Sequence, residues 1–202
     1  MNDDIHKTVQ NLLKNIFDNV NNWLTHAEAK NAAIVAFNIA CLSFIGDMKD
    51  IENVKILYYI VCITMLLSTI MALISFFPKM GKETNNQSEH FDYDNLLFYV
   101  DIAKYDKEQY IRAIFKQYAK IDILDADIQK IEKDFSEEIT YNATVVIRKY
   151  KWFNYAIKTE IMALIILVIS TVGFHPVFAL FPMVFPPKSA LFQLSYSVFT
   201  YF

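Results

Sequence analysis

Residues that break helices are scarce in this chain. Its 202 residues hold three glycines (Gly46, Gly81, Gly173) and five prolines (Pro78, Pro176, Pro182, Pro186, Pro187), and none falls within 1–45, 47–77 or 82–172. Glycine and proline are the strongest interrupters of a helix, so their confinement to a few borders predicts long helices and an all-α fold. Cysteine is equally sparse. Cys41 and Cys62 lie inside apolar stretches, where a thiol packs as a small hydrophobe, and neither a disulfide nor a cysteine-based metal site is expected. Positive charge is short too: a net charge of -3 and a pI near 5.8 give no basic face for a nucleic acid polymer. The first twenty residues contain no uncharged core, so a cleavable signal peptide is not expected. A Gly-rich phosphate loop, an HExxH pair, Cys/His ligand spacing and a serine elbow are all missing, and His6, His26, His90 and His175 are scattered. No catalytic residue, metal ligand or cofactor is therefore assigned, and the expectation is a protein that is not an enzyme.

What the chain has in quantity is clumped apolar sequence. Hydrophobic residues make up 54% of it, and residues 56–77, ILYYIVCITMLLSTIMALISFF, run for 22 positions without a charge. As a helix that stretch reaches roughly 33 Å, enough to cross a bilayer. Two shorter uncharged runs, Ala32 to Ile45 and Ile161 to Phe174, become spans if each borrows residues on its entry side. Asn31 and Asn38 then need partners on neighbouring helices, because an unpaired amide in lipid is costly. The expected organisation is an amphipathic N-terminal helix (1–30), a transmembrane hairpin (31–77, with spans near 31–45 and 56–77), a helical insert (78–155), a third span (156–174), and a proline- and aromatic-rich interfacial tail (175–202). Fold class follows: an all-α integral membrane protein with about three transmembrane helices and a small helical cytoplasmic domain.

Finer patterning exists in the polar parts. Val9, Leu13, Ile16, Val20, Trp23 and Ala27 follow spacings of 4, 3, 4, 3 and 4, a heptad-like seam that either meets the soluble portion of its own chain or joins a second copy. Asp106 followed by Gln109 reads as a capping box opening a short helix, and a much longer helix is expected from about Ala126 into the third span. Cations gather on one side of the spans: Lys14, Lys30, Lys79, Lys82, Arg148, Lys149, Lys151 and Lys158 against Lys49, Lys55 and Lys188. The positive-inside rule then places the N-terminus and the insert in the cytoplasm.

Both arginines of the chain, Arg112 and Arg148, lie in that insert among many aromatic residues. Arginine forks phosphate and aromatic rings stack on bases, so a small nucleotide is one reading of the combination, with Arg112, Arg148, Tyr99, Tyr105 and Tyr110 as ligand contacts. The other reading, which composition alone favours, makes the aromatics the core of a helical domain and Arg148 a membrane-edge anchor.

Three stretches carry a resemblance that bears on this choice. WLTHAEAKNAAIVAFNIA, with Glu28 and Lys30, resembles the entry to the first span of the Pycsar transmembrane effectors. DNLLFYVDIAKYDKEQYIRAIF resembles their segment after the second span, through Asn95, Leu96, Leu97, Phe98, Ile102, Ala103 and Tyr110. ITYNATVVIRKYKWFNYA, through Tyr141, Asn142, Lys149 and Tyr150, resembles the helix leading into their last span. The likeness covers residues 20 to 172, lacks a glycine near Tyr99 and Val100, and has no counterpart for the tail. It implies an antiphage defence effector that binds a cyclic mononucleotide, cyclic UMP or cyclic CMP, on the cytoplasmic side. Such an effector then disrupts the inner membrane and arrests growth. Three spans cannot enclose a pore, so a homo-oligomer is expected. The alternative is a membrane scaffold or accessory subunit that holds a protein partner and binds no nucleotide.

Overall fold

A computed structural model describes residues 3–46, 55–77 and 94–173, and all the regular structure among them is helical. Helix α1 covers Asp3–Ile45, α2 Lys55–Ile74, α3 Tyr99–Ile102, α4 Lys107–Ile114, and α5 Lys130–Gly173. A π-helical turn, Phe115–Ala119, follows α4 and ends at Lys120, which takes a left-handed conformation with φ of 59°. Residues 47–54 of the expected hairpin loop, residues 78–93 at the start of the insert and the 175–202 tail lie outside the described residues.

Three of the helices, α1, α2 and α5, are long and apolar enough to cross a membrane. At 1.5 Å per residue α2 reaches about 30 Å, whereas α1 and α5 reach about 65 Å, twice the hydrocarbon thickness. The excess forms the head. In the span region the chain exposes Phe37, Phe44, Ile63, Leu66, Ile70, Ile161, Ile165 and Val168, an apolar surface suited to lipid. Where the spans meet, small residues allow close approach: Ser68, Ala72, Ala156 and Ala163 are fully buried. The amide nitrogens of the two asparagines find partners, Asn31 Nδ2 donating to the Ala27 and Lys149 carbonyls and Asn38 Nδ2 to Met65 O and Thr69 Oγ1, while both Oδ1 atoms are buried without a hydrogen bond.

In the head the seam of α1 is consumed within the chain. Val9, Leu13, Ile16 and Val20 are buried in one core with Leu96, Ile102, Tyr110, Ile111, Ile114 and Phe115, and with Ile139, Ala143 and Val146 of α5. The insert supplies the apolar wall the seam requires. His6 Nδ1 lies 2.7 Å from the buried Glu132 carboxylate, fixing the start of α1 to the start of α5. Farther along, Asn142 donates to Asn21 at 3.0 Å.

The short helices are pinned by side chains. Asp106 accepts from the backbone of Glu108 and Gln109, and Gln109 returns a bond to the Asp106 backbone, the full capping box. Removing it as Asp106→Ala costs about 1 kcal/mol of head stability, read by chemical or thermal unfolding, and an unchanged midpoint would count against the cap. Helix α5 begins at Lys130 rather than near Ala126 because Asp125 and Asp127 sit in a turn, with Asp127 N bonded to Leu124 O.

Candidate functional site

The five residues proposed from the sequence as ligand contacts fall in three places. Tyr105 and Tyr110 belong to the head core, their rings 6.3 Å apart edge to face. Tyr110 donates to Leu96 O at 2.8 Å, and Tyr105 donates to Asp94 at 3.1 Å. Burial and the neighbouring Asp94 push the Tyr105 phenol up to about 12, and burial raises Tyr110 further, so both are neutral donors. Asp94 also takes Lys104 at 2.8 Å, and Lys104 reaches Asp101 at 2.6 Å. These two carboxylates hold the Lys104 ammonium well above its usual range. The group ties down the entry to α3. Arg112 is exposed and already forked onto Asp125, Nε to Oδ1 at 3.0 Å.

Tyr99 and Arg148 lie elsewhere, where the head meets the spans. The Tyr99 ring stacks on Tyr150 with centroids 5.8 Å apart and 21° between planes, and Trp23 sits 5.4 Å from Tyr99 and 6.2 Å from Phe98. Lys30 Nζ lies 5.0 Å from the centre of the Tyr150 ring and 5.7 Å from that of Phe153, within cation–π range. The Tyr150 hydroxyl is buried without a hydrogen-bond partner. Burial raises both the Tyr99 and Tyr150 phenols, so each presents a donor rather than a phenolate.

The chain emerging from α2 ends against two cations of α5. Lys149 Nζ donates to Ser75 O at 3.0 Å, pairs with Glu28 at 3.1 Å, and lies 5.6 Å from the centre of the Phe76 ring. Arg148 donates to Phe77 O at 3.4 Å. Carbonyls at a helix C-terminus carry partial negative charge, and cations placed there stabilise it. Lys149 therefore joins α1, α2 and α5 at one point while being almost wholly buried.

This junction is assembled from the three stretches quoted for their resemblance. Trp23, Glu28, Lys30 and Asn31 come from the first, Phe98 and Tyr99 from the second, and Lys149, Tyr150 and Phe153 from the third. Such a cluster offers π faces, an unspent hydroxyl and several cations together, a chemistry suited to a base bearing a phosphate. Lys30, Tyr150, Trp23 and Lys149 were not among the contacts proposed from the sequence. Their signal was present in those same three stretches, which are distant along the chain and adjacent in space.

The model of the Pycsar effector protein domain matches residues 12–174. The Pycsar effector protein PtPycTM of Propioniciclava tarda is 30% identical over 164 residues, which is 76% of this chain and 74% of that protein. No solved structure matches. The matched region takes in the seam of α1 from Leu13 onward, all three spans and the junction between them and the head, and the chain belongs to the Pycsar effector protein family, as a membrane-spanning antiphage defence effector.

Proposed function

We propose that this effector binds a cyclic pyrimidine mononucleotide, cyclic UMP or cyclic CMP, at the junction of head and spans, and that binding repacks the spans of a homo-oligomer so that the inner membrane leaks. The N-terminus and the head face the cytoplasm in this reading, where a second messenger is available. The observation that carries it is the meeting of Tyr99, Tyr150, Trp23 and Lys30 beside the Arg148 and Lys149 contacts to the end of α2. A base stacks on the tyrosine and tryptophan faces, and the cyclic phosphate draws Arg148 or Lys30. A ligand that takes Arg148 from the Phe77 carbonyl loosens the end of a span, so capture and release are coupled. A nearly complete switch requires the ligand to favour the open form by about 5.5 kcal/mol.

Calorimetry of the full chain in detergent with each cyclic nucleotide tests the reading. Heat of binding is expected with cyclic UMP or cyclic CMP, and Arg148→Ala is expected to weaken it at least about tenfold, the worth of one charge-assisted hydrogen bond to phosphate. Arg112→Ala separates the two arginines: its guanidinium is occupied by Asp125 and is expected to change affinity by less than about threefold, the effect of losing a distant surface charge. Absence of heat with both nucleotides would favour the scaffold alternative.

A further inference from the structure

Each of the three spans contributes a buried polar side chain to one place: Asn38 from α1, Ser68 from α2 and Glu160 from α5, exposed by 0%, 0% and 2%. The Glu160 carboxylate lies against Asn38 and Ser68, and Cys41 faces it from α1; Lys158 on α5 is exposed. Nearby donors are already spent. Ser68 donates to Ala156 O at 2.9 Å and Thr69 to Met65 O at 2.9 Å, while Asn38 Nδ2 is engaged by Met65 O and Thr69 Oγ1. Three acceptors remain without a hydrogen bond: Asn38 Oδ1 and both carboxylate oxygens of Glu160.

A carboxylate in this setting is expensive unless positive charge accompanies it, and no ion pair reaches Glu160 among the described residues. A lone proton links two oxygens and leaves the third bare. A monovalent metal ion takes several oxygens at once and balances the single negative charge, whereas calcium or magnesium calls for more carboxylate. The geometry points to a monovalent-cation site formed by Asn38, Ser68 and Glu160 inside the spans.

Occupancy is measurable without any activity. The full chain in detergent is melted at fixed pH and ionic strength in potassium or sodium chloride and in choline chloride, beside Glu160→Gln. Wild type is expected to melt higher in the alkali salt, by about 4 °C when the ion is at ten times its dissociation constant, and Glu160→Gln to show no difference. Asn38→Leu, which removes one oxygen and keeps the carboxylate, is expected to blunt the ion response. Equal melting of wild type in choline and alkali salts overturns the site, as does a response to acidification alone, which would make the occupant a proton.

Discussion

Lys149→Ala is expected to lower the stability of the protein by about 4 kcal/mol. Two contributions add. Loss of most of a buried alkyl stem costs about 0.8 kcal/mol per methylene, roughly 2 kcal/mol in all, and loss of a charged hydrogen bond to a helix-terminal carbonyl costs about 2 kcal/mol more. The contacts concerned are Ser75 O at 3.0 Å and the Phe76 ring, in a side chain exposed by 7%. Lys149→Met keeps the stem and discards only the charge, so about half the loss is expected. Glu28→Gln tests the remaining partner. Its carboxylate is 47% exposed, and an ion pair open to water contributes at most about 1 kcal/mol. The expected order of melting temperatures is therefore wild type, Glu28→Gln, Lys149→Met, Lys149→Ala. For a chain of this size 4 kcal/mol corresponds to about 12 °C. An Ala variant that melts like wild type would mean that Lys149 does not hold α2 to the other spans. A Glu28 variant as damaged as Lys149→Ala would assign the stability to the ion pair instead of the helix end.

The same residue shows what could be read from the chain and what could not. Scarcity of glycine and proline set the limits of three long helices, since a helix is a local structure and its interrupters act locally. The Asp106 and Gln109 box was legible for the same reason: both partners lie within one turn. Periodicity also placed Val9, Leu13, Ile16 and Val20 on one face, yet it could not name what that face meets, because an apolar stripe fits any apolar surface. Their true neighbours, Leu96, Ile114 and Ile139, lie 76 to 130 residues away in the chain. Lys149 looked like one more cation at the membrane edge. Its burial depends on where α2 ends, which no spacing within α5 encodes. Arg112 and Arg148 look alike in sequence, and only the fold gives one of them a carboxylate and the other a backbone carbonyl. Tyr105 and Tyr110 share their residue type with Tyr99, but their hydroxyls are spent on Asp94 and Leu96.

Leu13→Ala is the second large effect, expected at about 3 kcal/mol and at the same value whatever the protein concentration. Leu13 is fully buried in the head core between α1, the insert and α5. Truncating such a leucine removes the transfer free energy of its methyl-bearing end and leaves a cavity whose walls relax only in part, a combined cost of about 2 to 5 kcal/mol. The concentration arm distinguishes the two roles a heptad-like seam can have. If Leu13 packed between copies of the chain, unfolding would be coupled to dissociation, and the midpoint would rise as protein was added, with the variant flattening that slope. With the seam consumed inside one chain, wild type and Leu13→Ala are expected to keep a constant separation when melted at two concentrations tenfold apart. Any homo-oligomer must then be built from other surfaces, and the side chains Ile63, Leu66, Ile70, Ile165 and Val168 are among the exposed apolar ones that the spans present. A midpoint that moves with concentration in wild type and not in Leu13→Ala would return the seam to the interface between copies and leave the head to find another wall for its core.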